Sequence, residues 1–84
     1  IPEQVSNTKD NEETKLFKEQ IRSLVNELPA DQKEVVIMRT YYDMSFKEIS
    51  EMTNVSINTS LGRMRYALIN LKKMLEEKNV EIFI

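Results

Sequence analysis

Residues 45–75 read SFKEISEMTNVSINTSLGRMRYALINLKKML, and two helices separated by one bend account for every local signal in them. Ser45 followed three residues later by Glu48 is a capping box, in which each partner satisfies an otherwise orphaned backbone N–H, so a short helix starts there with Ile49 and Met52 facing inward. About two turns later come Thr53 and Asn54. Asn tolerates the left-handed backbone that closes a helix better than any residue but Gly, so the chain is expected to bend here with Val55 plugging the corner. Ser56 then caps a longer helix whose inner stripe is Met64, Ala67, Leu68, Leu71 and Leu75. Its end is expected among Lys72, Lys73 and Lys78, where the helix dipole favours cations.

Upstream the same logic gives two more helices. From Thr14 to Leu28, the residues Phe17, Ile21, Leu24, Val25 and Leu28 recur at spacings of three and four, one apolar stripe of a helix. Pro29 falls at a helix start, where a missing N–H costs nothing, and Asp31 places negative charge in the first turn. A second helix is therefore expected from about Ala30 to Tyr41, burying Val35, Val36 and Met38. Residues 1–13, IPEQVSNTKDNEE, are polar and aperiodic and read as a disordered linker from an upstream domain. Residues 14–78 form the expected domain, and 79–84 a tail. Ile1 in place of an initiator Met points to a piece of something longer.

Composition agrees with an all-α chain and excludes several functions. With 84 residues only one modest core can close. No Cys and no His means no disulfide framework, no soft zinc ligands and no histidine base, and no metal or cofactor is expected. A single Gly and two Pro leave few turns for a sheet. The adjacent acidic pairs Glu12–Glu13 and Glu76–Glu77 point to different sides of a helix, which does not suit paired-carboxylate catalysis, so no enzymatic activity is expected. No run approaches the ~20 apolar residues of a membrane span and no leader is evident, so a cytoplasmic protein without membrane contact is expected.

Charge is unevenly distributed. The formal net charge is -2, yet residues 56–75 contain Arg63, Arg65, Lys72 and Lys73 and no acid. A short helix, a tight turn and a longer basic helix match the helix-turn-helix plan, a small four-helix domain of winged-helix-like or homeodomain-like kind without a wing. In that plan the N-terminal part of the second helix meets base edges in the major groove while other groups hold phosphates. Here those positions are Asn58, Thr59, Leu61, Gly62, Arg63, Arg65 and Tyr66. Arg suits guanine, Asn suits adenine, and Leu or a Thr methyl suits the thymine methyl. Gly62 inside a helix costs about 1 kcal/mol against Ala, and close backbone approach to DNA is one reason to keep it. The alternative is a tolerated surface glycine, just as the arginines alone would more often mark a solvated face. Lys72 and Lys73 are assigned to the dipole and Tyr41, Tyr42 and the five Met to core or rim, not to the site.

The order of these features resembles region 4 of bacterial RNA polymerase sigma factors, especially the extracytoplasmic-function type, over roughly Ile21 to Leu75. The matching positions are Leu28–Pro29 opening a helix, Arg39 near its end, Ser45 to Ser50 at the start of the short helix, then Ser56, Thr59 and Arg63. The resemblance implies recognition of the promoter -35 element in double-stranded DNA, with Arg39, Phe46 and Lys47 near phosphates. It further implies docking on the β-subunit flap of the polymerase core through an apolar groove of the first helices, and anti-sigma factors as covering partners. The DNA-binding residues so expected are Arg39, Phe46, Lys47, Ser56, Asn58, Thr59, Gly62, Arg63, Arg65 and Tyr66. Four positions depart from the family pattern, one of them Leu61, which stands where family members often carry a basic residue. Asn54 replaces a turn Gly, Ser50 a small Ala, and Ser60 an apolar residue, so that either the Ser60 hydroxyl bonds to a carbonyl one turn back or a rotated helix puts Leu61 in the core. Two other readings compete: the output domain of a response regulator, and a helical protein-interaction module whose basic helix binds an acidic partner.

Overall fold

The computed structural model describes residues 12–83, with side chains described as far as Lys78. Four helices follow one another: α1 (Glu12–Asn26), α2 (Ala30–Thr40), α3 (Phe46–Thr53) and α4 (Ile57–Phe83). Among the described residues there is no strand. The fold is thus all-α, and α4 is its spine, packing against each of the other three helices.

The local chemistry of the central bend is as expected. Ser45 Oγ accepts the Glu48 N–H at 3.0 Å and Glu48 Oε1 accepts the Ser45 N–H at 2.8 Å, which starts α3. Asn54 takes the left-handed conformation, φ 60° and ψ 45°, and the Val55 N–H reaches back to the Ser50 carbonyl at 3.0 Å. The same carbonyl accepts the Asn54 N–H, so both residues of the bend close back onto the last turn of α3. Asp43 is the other described non-glycine residue with positive φ, 56°, and it turns the chain between α2 and α3. The same turn is tied down by the Met44 N–H to the Met38 carbonyl at 3.1 Å.

Leu24, Val25 and Leu28 pack with Val36 of α2 and with Ala67 and Leu71 of α4, and Ile21, Ile37, Met64, Met74 and Leu75 close the rim of that core. Val35, Ile49 and Ser60, one each on α2, α3 and α4, are fully buried. Two polar contacts fasten α2 to α4 across the chain: Asn70 Nδ2 donates to Gln32 Oε1 at 2.8 Å, and Arg63 Nε lies 3.7 Å from Asp31 Oδ2.

Several expectations need correction. Helix α1 starts two residues earlier and ends two earlier than the stripe predicted, so Leu28 is a buried residue of the turn; the remainder of the expected linker lies outside the described residues. Helix α2 stops at Thr40, with Tyr41 as its cap. Phe17, Met52 and Leu68, all expected to face inward, are exposed at 56%, 68% and 53%. Met52 and Leu68 lie at the margins of their apolar stripes, whereas Phe17 lies mid-stripe but toward the start of α1, ahead of the buried Leu24 and Val25. Finally, α4 runs to Phe83, five residues past Lys78. Its last turn carries no basic residue, so the dipole gives no reason for Lys72 and Lys73, which stand exposed in mid-helix.

Candidate nucleic-acid interface

Helix α4 begins immediately after the bend, and its first turn is organised by hydroxyls. Ser56 Oγ accepts the Thr59 N–H at 3.1 Å and donates to Thr59 Oγ1 at 3.0 Å. No acidic residue stands in that first turn, so no side-chain charge offsets the positive end of the dipole, a favourable situation for a phosphate. Of the expected contact residues, Ser56 and Thr59 are therefore spent largely on shaping the helix entry.

Burial fixes which way the helix faces. Ser60, Ala67 and Leu71 are buried and Met64 is half-buried, so Asn58, Gly62, Arg65 and Ile69, spaced four, three and four apart, run along the opposite side. Asn58 and Arg65 are exposed, and Tyr66, 61% exposed, stands next to this line. A Cβ built on Gly62 meets nothing within 4 Å, so no internal crowding and no positive φ requires glycine there. The surface above Gly62 is open to anything that approaches from outside.

Arg63 and Arg65 differ more than their proximity suggests. Arg65 is free on the outward side, whereas the Arg63 side chain is only 25% exposed and leans on Asp31 in the first turn of α2. Arg63 thus sits on the flank of α4 that faces α2. Neither arginine is turned into the core.

The start of α3 supplies a second group. Arg39 Nη1 donates to the Met44 carbonyl at 2.8 Å, and its guanidinium stacks 5.0 Å from the centre of the Phe46 ring. Arg39 and Phe46 are consequently brought together as a brace for the α2–α3 turn, with Phe46 half-buried and Arg39 exposed. Lys47 is exposed in the first turn of α3.

Three residues passed over or doubted in the sequence emerge here. Ser60 is completely buried and its hydroxyl has no hydrogen-bond partner, which rules out the back-bond to an earlier carbonyl. The helix is not rotated to bury Leu61 either, because Leu61 is 44% exposed. Ile57 is exposed to the same degree one turn earlier. Their pattern alone does not reveal this, since both sit beside buried positions on a mostly apolar helix.

A second surface lies on the other side of the domain. Phe17 and Ile21 of α1 face Tyr41 at the end of α2 across a groove, and Arg22 lies 6.0 Å from the centre of the Tyr41 ring. Ile37 and Tyr42 continue it along α2. Among the described residues there is no group of His, Cys, Asp and Glu placed to hold a metal ion, and no helix long and apolar enough to cross a membrane.

Comparison with known proteins gives one match: a family model, sigma-70, region 4, fits residues 18–68. No curated protein and no solved structure matches. The matched span runs from α1 through the bend at Asn54 and includes the first twelve residues of α4, so it covers more than half of the chain and every residue of the candidate interface. The match is to the region 4 family that the order of motifs resembles, not to a response-regulator output family. The chain belongs to the sigma-70 region 4 family.

Proposed function

We propose that the domain reads the promoter -35 element as the C-terminal domain of a sigma factor of the extracytoplasmic-function type, with α4 in the major groove. The family implies -35 binding and contact with RNA polymerase. One observation carries the residue-level reading: after the left-handed bend at Asn54, α4 points an outward line of Asn58, Gly62 and Arg65 away from a core that holds Ser60, Ala67 and Leu71. Asn58 and Arg65 supply paired donors and acceptors for base edges, and Gly62 lets the backbone come close. Lys47, Arg63 and the positive dipole end at the start of α4 hold phosphates and set the register. Arg39 and Phe46 act mainly by fixing where α3 begins.

The groove between α1 and the end of α2 is the surface that would rest on the β-subunit flap, Phe17 and Tyr42 being 56% and 71% exposed there. An anti-sigma factor would act by covering this groove or α4. Domain limits follow from the same reading: residues 12–78 form the working unit, with the far end of α4 projecting from it.

Salt titration separates DNA reading from binding of an acidic protein partner. Neutralising Z phosphates gives a log-log slope of about -0.9Z, so three to four contacts predict a slope of about -3 to -4 on a promoter duplex. Co-purification with polymerase core completes the test, since a DNA-only module would not be retained by the flap. A flat salt dependence together with no retention on core polymerase would refute the reading.

A further inference from the structure

The entry of α4 has an unusual chemistry for a groove-reading helix. Residues 56–62, SINTSLG, carry no charged side chain. The first outward cation, Arg65, comes more than two turns into the helix, and the earlier Arg63 is held by Asp31. The residues of a recognition helix that go deepest into the major groove are its N-terminal ones. Here the exposed ones are Ile57, Asn58, Thr59 and Leu61, of which Thr59 is tied to Ser56, with the bare backbone of Gly62 beside them. Leu61 lies three residues after Asn58, four after Ile57 and four before Arg65, so it is a helical neighbour of all three and lies inside the contact surface, not at its rim.

Resting on the DNA-reading function proposed above, we infer that Ile57 and Leu61 are specificity-determining residues that read thymine methyl groups, and that the duplex bound is A·T-rich where the entry of α4 meets it. Bidentate recognition of guanine needs a guanidinium or ammonium, and residues 56–62 offer none. The thymine C5-methyl is the apolar feature of the major-groove edge, and an aliphatic side chain is its natural partner. Asn58 adds bidentate recognition of adenine between the two. An alternative occupant of the Ile57–Leu61 surface, the interior of the domain, is removed by their exposure, 44% for each. Ser60 fills the interior position instead, with no exposed surface.

The test is selection of a randomised duplex pool by the full 84-residue chain, followed by replacement of each thymine in the selected site with deoxyuridine, which deletes only the methyl. The proposal expects A·T pairs opposite the entry of α4, and at least one replacement that weakens binding about fourfold, the worth of one buried methyl group. That penalty should vanish in Leu61→Ala, whose fold is checked by helical circular dichroism because the side chain is exposed. Leu61→Arg should move the selection at that base pair toward guanine. Selected sites with conserved G·C pairs at the entry, or deoxyuridine penalties identical in wild type and Leu61→Ala, would overturn the methyl reading while leaving DNA reading intact. No enrichment of any duplex over the starting pool would bring down both.

Discussion

Ser60 has no exposed surface and its hydroxyl has no partner, so it carries the desolvation cost of a polar group without the hydrogen bond that would offset it. Ser60→Ala should therefore stabilise the domain by about 1 kcal/mol, which for a chain of this size raises Tm by roughly 4–8 °C. Thermal unfolding followed by circular dichroism measures it, and an unchanged or lowered Tm would show that the hydroxyl is satisfied. At this scale the sequence was legible wherever the cause is local. The Ser45–Glu48 box and the left-handed Asn54 depend on residues within one turn of each other, and both are found with the geometry expected of them. Ser60 was legible as a departure but not in its outcome, because the partner of a buried hydroxyl is decided by helices distant in sequence.

At the scale of elements, α2 and α4 are coupled by Asp31 with Arg63 and by Gln32 with Asn70. These pairs join residues more than thirty positions apart and left no trace in periodicity, which is why Arg63 read as an open base contact when the structure sets it on a flank. The pair is partly solvated and contributes little to stability, of the order of a surface ion pair. Its consequence is electrostatic: Asp31 competes with phosphate for Arg63. Asp31→Asn should tighten duplex binding by about two- to fivefold at low ionic strength, the size of one such surface interaction, as measured by fluorescence anisotropy. Unchanged affinity would place Arg63 away from the DNA. The same non-local causes explain Phe17, Met52 and Leu68, whose spacing alone could not tell a covered flank from an open one. They also explain Lys72 and Lys73, assigned to a helix end that lies further on.

For the whole molecule, an acidic chain with net charge -2 carries one helix segment, 56–75, that holds four basic residues and no acid, and folding leaves Arg65, Lys72 and Lys73 exposed on it while Arg63 lies on the flank toward α2. The order of four helices and the place of the bend were readable because amphipathic period and capping residues specify them. The relative tilt of the helices, and with it the apolar groove of Phe17, Ile21 and Tyr41, was not, since it depends on how three helices share one side of α4. Two surfaces result, one polar and basic on α4 and one apolar between α1 and α2. DNA is the proposed partner of the first. Titration of the isotope-labelled chain with promoter duplex, followed residue by residue by NMR, tests that assignment most directly. The largest shifts are predicted at the backbone amides of Asn58, Thr59, Gly62 and Arg65, with a second set at Phe46 and Lys47. Shifts concentrated instead on Phe17, Ile21 and Tyr41, with the amides of α4 unmoved, would contradict it.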